Sequence, residues 1–378
     1  MIVQDLDTLF GTLSRIPDVE ADNLHAYDAT DGLLLETARD IIGSGAKVVI
    51  IGDRYGALTL GTVAGLGVEN VRVHQDLYTG RLALQRNASR AGLETSFTAH
   101  ELGRELLEGA DAVLLQLPKS LAELEEIVDA VARHAGPDAV LLAGGRVKHM
   151  SLGMNAVLAR YFESVQPQLA RQKSRVLVAR NPIPTTGMAP YPLLDYLPEL
   201  GLSVCAHGAA FSGARLDIGT RFLLTFLDSM PDATRVVDLG CGTGILAAMY
   251  ARQRPAARVV ATDQSAAAVA SALGTALANG LEDRISVVHD DAMSTLEPAS
   301  AELIMLNPPF HLGSSVHAGA ALKMFQAAAT VLAPGGELWT VYNSHLQYRT
   351  ALEKIIGPTV VEGRNPKFTV TRSRRAGK

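Results

Sequence analysis

The sequence predicts an α/β protein made of two tandem, doubly wound, mostly parallel sheets. Three observations predict it. Strand-like apolar runs alternate with helix-length Ala- and Leu-rich stretches along the chain, and that rhythm occurs twice at a near-constant separation. The length of 378 residues also suits two domains of roughly 150–200 residues better than one.

The first half carries strand-like runs at "KVVIIGDRYG" (47–56), "VRVHQD" (71–76), "DAVLLQLPK" (111–119) and "AVLLAGGR" (139–146). The second half carries them at "RVVDLG" (235–240), "RVVATD" (258–263), "ISVVHDD" (285–291), "ELIMLN" (302–307) and "GELWTVYN" (336–343). Helical stretches separate them, such as "SAAAVASALGTALANG" (265–280). On such sheets, ligands bind beyond the carboxyl ends of the strands.

The two sets align. "VVIIGDRYG" at 48–56 matches "VVDLGCGTG" at 236–244 with an offset of 188, and Asp76 matches Asp263 at 187. Pro118 matches Pro309, and Gly144–Gly145 matches Gly335–Gly336, both at 191. A duplicated domain is the expected origin. The halves meet in "RNPIPTTGMAPYPLLDYLPELG" (180–201), whose five prolines suit an extended connector or a stiff arm laid over one domain, and the expected domains are 1–190 and 191–378.

Composition bounds the class. Two cysteines, Cys205 and Cys241, cannot form a disulfide framework or a four-ligand zinc site, and no His/Cys/Asp cluster has ligand spacing, so no metal is expected. The amino terminus lacks the layout of a signal peptide, and no apolar run approaches the ~18 residues of a membrane helix. A soluble, cytoplasmic protein with no membrane contact is expected. Net charge is −5, yet the last fifteen residues hold six basic groups and no acid, and "RQKSRVLVAR" (171–180) holds four. Basic patches on an acidic body suit phosphate contacts, and equally suit solvated edges with a frayed tail.

The chemistry concentrates in the second half. "VVDLGCGTG" sets Asp238 on a buried strand and follows it with Gly240, Gly242 and Gly244, which permit tight turning and close backbone approach to a ligand at a helix amino end. Cys241 is a small residue filling that turn. Asp263 ends the second strand, where a carboxylate accepts both hydroxyls of a ribose. Asp290 and Asp291 end the third, suited to an exocyclic amine such as adenine N6. "LNPPFHLG" (306–313) then stops a buried strand at Asn307, with Pro308, Pro309 and the ring of Phe310. An exocyclic amino group is conjugated with its ring and is a poor nucleophile. Asn307 Oδ1 and the Pro308 carbonyl, accepting its two N–H bonds, would let the nitrogen pyramidalise towards an electrophile while Phe310 stacks on the base.

This order of glycine loop, two strand-end acids and N-P-P-F resembles the class I S-adenosylmethionine-dependent methyltransferases that modify planar nitrogens. "FSGARLDIGTRFLL" (211–224), "NPPFH" with His311, and "GRNPKFTVTRSRR" (363–375) are similar, more narrowly, to bacterial ribosomal RNA guanine-N2 methyltransferases of the RsmC/RlmG type. The resemblance covers 205–378 by motif and the first half by architecture. It implies two tandem Rossmann-like class I methyltransferase domains, of which the C-terminal one is catalytic. It further implies that Asp217, Gly219 and Thr220 lie over the methionine end of S-adenosylmethionine, Gly240 to Gly244 wrap it, Asp263 takes its ribose and Asp291 its adenine. Asn307 to Phe310 would take guanine N2, with His311 a hydrogen-bonder of the loop.

The first half keeps the scaffold and lacks the chemistry. Ile50 stands for Asp238, Arg54 for the central glycine, where it would crowd a cofactor, and Gln116-Leu-Pro-Lys for Asn307-Pro-Pro-Phe. That domain is expected to be degenerate and to bind no S-adenosylmethionine, either contacting RNA through Lys119, Arg146 and Lys148 or bracing its neighbour. Ribosomal RNA or a ribosomal subunit is the expected partner and a monomer the expected state. Other acceptors stay open, namely adenine N6 or a protein glutamine amide, as does an RNA-binding assembly factor with a vestigial site. A nicotinamide dehydrogenase is disfavoured, since its fingerprint spaces the glycines G-x-G-x-x-G.

Overall fold

The computed structural model describes residues 6–21, 23–43, 45–309 and 315–377. Its contacts divide the chain into Met1–Tyr191 and Pro192–Lys378. In the first unit the strands are β1 (Val48–Ile51), β2 (Val71–His74), β3 (Phe97–Ala99), β4 (Ala112–Gln116), β5 (Val140–Arg146), β6 (Phe162–Pro167) and β7 (Ser174–Pro182). They form one sheet in the order β3-β2-β1-β4-β5-β7-β6, with β7 antiparallel to both neighbours and the other pairs parallel.

The second unit opens with a hairpin of β8 (Leu193–Leu197) and β9 (Leu202–Ala206). Its main strands are β10 (Arg235–Leu239), β11 (Arg258–Asp263), β12 (Ile285–His289), β13 (Ala301–Leu306), β14 (Leu332–Asn343), β15 (Thr359–Arg364) and β16 (Phe368–Arg374). They repeat the same order, β12-β11-β10-β13-β14-β16-β15. Both sheet faces are covered, so the strands are apolar throughout rather than alternating. On β13, Leu303 and Met305 enter one core and Ile304 and Leu306 the other. The helix Ala266–Ala278 begins where Ser265 accepts the Ala268 N–H at 3.1 Å, a serine amino cap.

Strand register corrects two of the four landmarks. His74 and Thr262 occupy equivalent places, opposite Ile51 and Leu239 and accepting the N–H of Gly52 and Gly240. Gln75, not Asp76, therefore corresponds to Asp263. Gly144 pairs with Gln116 at the carboxyl end of β4, whereas Gly336 packs against Ala301 and Glu302 at the start of β13. The two Gly-Gly pairs thus mark opposite ends of their strands.

Composition also misread three segments. The proline-rich stretch is not one connector, because β7 runs to Pro182 and β8 begins at Leu193. The basic carboxyl tail is no frayed arm, because Phe368–Arg374 is an internal strand with Thr369, Thr371 and Ser373 buried. Arg372 pairs there with Glu337 and Glu362. The cluster at 171–180 is likewise mostly strand β7, and Arg171 pairs with Glu36. Among the described residues, no helix is long and apolar enough to cross a membrane, and no group of three His, Cys, Asp or Glu is arranged to hold a metal.

Candidate active site

Three adjacent parallel strands, β11, β10 and β13, bring the candidate residues into one row at their carboxyl ends. Leu239 lies opposite both Thr262 and Leu306, so Gly240, Asp263 and Asn307 emerge side by side on strands about 5 Å apart.

The loop after β10 is a left-handed turn with φ of +70° at Gly240, +53° at Gly242 and +76° at Gly244. Two of these glycines have separate reasons. A Cβ on Gly244 would sit 3.0 Å from Ala272, so it is required by packing of the next helix, Ile245–Gln253. A Cβ on Gly242 would meet nothing within 4 Å, so that glycine borders open space. The Gly242 N–H donates to Asp263 Oδ2 at 3.0 Å and the Ser265 N–H to Asp263 Oδ1 at 2.9 Å, which makes Asp263 a clamp between the loop and the next helix. Asp238 Oδ2 accepts the Ala247 N–H at 2.9 Å, while its Oδ1 is buried without a partner. Burial, with the Asp263 charge adding to it, pushes the Asp238 carboxyl up to about 7.

At the third strand the two acids divide their work. Asp290 is buried and accepts from Asp291 N at 2.6 Å, Thr295 N at 2.9 Å, Thr295 Oγ1 at 2.8 Å and the Ser294 hydroxyl. Burial alone would raise its pKa, but the bonds from Ser294 and Thr295 hold it below the usual carboxylate value. Asp290 thus organises the turn, where Ala292 and Met293 take left-handed conformations. Asp291 is half-buried, with one oxygen paired to Lys323. Sequence spacing carried no signal for that lysine, which comes from the helix Ser315–Val331.

Asn307 has an unusual environment. Its Nδ2 donates to Asp217 Oδ2 at 3.0 Å and to Thr220 Oγ1 at 2.9 Å. An ionised carboxylate can only accept, so the amide is held with Nδ2 towards Asp217. Its Oδ1 is buried with no hydrogen-bond partner. Asp217 caps the helix Ile218–Leu224, accepting Gly219 N at 2.8 Å and Thr220 N at 3.1 Å through the same oxygen. A Cβ on Gly219 would lie 3.2 Å from Asn307 Oδ1, so glycine leaves room beside the amide. These three residues, expected over a cofactor, converge on Asn307. Pro308 is buried and Pro309 exposed, while Phe310 and His311 lie outside the described residues.

The equivalent region of Met1–Tyr191 is filled by its own side chains. Asp53 is buried and accepts Gly56 N at 3.0 Å and Thr59 N at 2.7 Å, and the Gln75 amide donates to the Asp53 carbonyl. Arg54, expected to crowd a cofactor, is exposed instead. Gln116 donates to Asp31 Oδ1 at 2.5 Å, and burial, then the neighbouring Asp53, pushes Asp31 up to about 7. A groove of about 710 Å³ in this unit, bordered by Lys47, Asn70 and Arg72, opens at the amino ends of β1 and β2, away from these strand ends.

Residues 201–372 match the methyltransferase small domain family, and residues 3–182 match the RLMG N-terminal domain family. Proteins named ribosomal RNA large subunit methyltransferase G from Streptomyces avermitilis and Stutzerimonas stutzeri are each 34% identical over 375 residues. The matches cover 96% of this chain and 96% of the first relative, and 98% and 99% for the second. Among solved structures, the T. thermophilus 16S rRNA N2 G1207 methyltransferase (RsmC), in complex with AdoMet and guanosine, superposes with a TM-score of 0.71. It is 20% identical, and the match covers 92% of each chain, a likeness of fold.

Proposed function

The chain belongs to the ribosomal RNA large subunit methyltransferase G family, and on that premise we propose that it transfers a methyl group from S-adenosylmethionine to the exocyclic N2 amino group of a guanine in ribosomal RNA. The observation that carries the acceptor chemistry is Asn307, with Nδ2 held by Asp217 and Thr220 and Oδ1 buried and unpartnered. A buried acceptor without a donor costs about 1–3 kcal/mol, and an incoming amino N–H relieves that cost.

The residues fit S-adenosylmethionine. Open space borders Gly242, the Asp238 Oδ1 atom is buried without a partner, and the Asp263 carboxylate stands beside the loop whose Gly242 N–H it accepts. In this reading Gly240, Gly242 and Gly244 bring the backbone against the cofactor, and Asp238 and Asp263 bind its polar groups. Asp291 accepts from adenine through the oxygen that Lys323 leaves free. When bound, S-adenosylmethionine supplies an electrophilic methyl on a sulfonium. Asn307 Oδ1 and the Pro308 carbonyl hold the two amino N–H bonds, and Phe310 stacks on the base. The Asp217 carboxylate polarises the Asn307 amide through Nδ2, making Oδ1 a better acceptor as the nitrogen becomes positive. The proton then leaves to Asn307, the loop carbonyl or water.

Residues 191–378 form the catalytic domain and residues 1–190 a degenerate copy that binds no S-adenosylmethionine. The shared strand order, Ile50 for Asp238, Gln75 for Asp263 and the inward-turned Asp53 support that division. On this reading the enzyme acts in the cytoplasm as a monomer.

The test incubates the protein with methyl-labelled S-adenosylmethionine and under-methylated large-subunit ribosomal RNA, then digests the RNA to nucleosides. Label in N2-methylguanosine is expected. Label in N6-methyladenosine moves the acceptor, and label in no nucleoside refutes the proposal.

A further inference from the structure

Among the described residues, two side-chain amide oxygens are buried without a hydrogen-bond partner, Asn307 Oδ1 and Asn343 Oδ1. They lie on adjacent strands. β13 runs parallel to β14 with Leu306 opposite Thr340, so Asn307 follows that pair directly and Asn343 ends β14 two residues further along. Strand spacing and rise then set their Cα atoms about 8 Å apart. They also share a face. Leu303 and Met305 of β13 enter the same core as Trp339 and Val341 of β14, and alternation along each strand puts Asn307 and Asn343 next on that side. The helix Ile218–Leu224, whose Thr220 and cap Asp217 hold the Asn307 amide, packs into this core through Leu223.

Asn343 does no structural work with its oxygen. It precedes the short turn Ser344–Leu346, where an asparagine commonly caps, yet its side chain makes no capping bond. The residue opposite it on β16 is Phe368, whose buried ring offers no donor. A buried acceptor left without a donor is unfavourable in the free protein, and a ligand N–H removes that cost. Asn307 and Asn343 thus present two such acceptors, on one face, at the sheet end where the base is to sit.

We propose that Asn343 selects the base, its Oδ1 accepting the N1–H of guanine beside the N2 amino group held by Asn307 and the Pro308 carbonyl. The assignment rests on guanine N2 being the methyl acceptor, and it names what distinguishes guanine from adenine. On guanine, N1–H and the N2 amino group are adjacent donors on one edge, which two neighbouring acceptors match. Adenine carries a lone pair at N1 and no amino group at C2, so it would leave both oxygens unpaired. A site built to pair with a substrate N–H rejects the analogue that lacks it more strongly than any difference in shape would.

The test compares two bases at one position of one RNA. The methylated guanine is located in labelled large-subunit ribosomal RNA, and that position is rebuilt by splinted ligation as guanine or as 2-aminopurine. The analogue keeps the N2 amino group and has a lone pair in place of N1–H. Single-turnover transfer by the wild type should be about 10- to 100-fold faster to guanine. Asn343→Ala should slow transfer to guanine about tenfold and leave 2-aminopurine within about twofold of its wild-type rate. Calorimetry should find its affinity for S-adenosylmethionine unchanged. Asn343→Asp keeps an acceptor and cannot donate, so it should retain the preference for guanine. A wild type that treats the two bases alike overturns the assignment without any variant. So does an Ala variant that slows both bases equally, as a purely structural residue would, or slows neither. An Asp variant that loses the preference overturns it as well. Wild-type protein that methylates no guanine refutes the functional reading itself, whereas guanine methylation without the N1 preference refutes the role of Asn343 alone.

Discussion

Replacing Asp217 with Ala separates two functions of one oxygen atom. Asp217 Oδ2 accepts Gly219 N at 2.8 Å, Thr220 N at 3.1 Å and Asn307 Nδ2 at 3.0 Å. Loss of the cap costs about 1 kcal/mol of stability in the helix Ile218–Leu224. Loss of the carboxylate also frees the Asn307 amide. Thr220 Oγ1, at 2.9 Å, can accept from Nδ2 or donate to Oδ1, so it serves either flip equally. Only the acceptor-only carboxylate discriminates, through a charge-assisted bond worth about 1.5–3 kcal/mol. In Asp217→Ala the amide spends roughly half its time reversed, presenting a donor to an amino group that needs an acceptor. That halving and the lost polarisation of Oδ1 together amount to about 1.5–2 kcal/mol of barrier, or roughly 10- to 30-fold in single-turnover rate. Asp217→Asn keeps a neutral acceptor at the same place and should lose only about 3- to 5-fold, since a neutral hydrogen bond is worth roughly half a charged one. The assay is single-turnover methylation at saturating RNA, with S-adenosylmethionine affinity measured separately by calorimetry. A rate within twofold of wild type in Asp217→Ala would refute the positioning role. A parallel collapse of cofactor affinity would return Asp217 to the cofactor.

Asn307→Ala removes the acceptor itself and should cut turnover about 10²- to 10³-fold while S-adenosylmethionine affinity changes little, as calorimetry on the variant would register. Gly242→Arg forces a side chain onto a φ of +53° and into the space bordering the loop, so cofactor binding should vanish, and tight binding would contradict the site. Asp238 gives a pH signature. Its folded pKa is raised to about 7, so the stability held by its protonated form is complete below the unfolded value near 4 and is lost as pH rises towards 7. Asp238→Asn should abolish that slope, worth about 2–3 kcal/mol between pH 5 and 7. The sole tryptophan, Trp339, is buried in the second unit, so denaturant melts followed by its fluorescence report that unit alone. Equal pH slopes in the two proteins would count against the assignment.

Local pattern determined much of this protein. Strand–helix alternation, the two-fold rhythm, the glycine loop after β10 and the strand stop at Asn307 are each written in contiguous residues, because backbone periodicity and the conformations of Gly and Pro are local properties. Tertiary structure decided what those residues meet. Asp217 and Asn307 lie 90 positions apart, and their bond exists only because β13 ends beside the cap of an earlier helix. A shift of one residue in strand register changes which side chain occupies a ligand position, and that turned Asp76 into Gln75 as the partner of Asp263. Charge counts along the chain likewise could not distinguish Arg372, ion-paired within a sheet, from Lys119 and Lys148, exposed in segments beyond strand ends. Sequence listed the chemical groups, and register and burial decided which of them face a ligand.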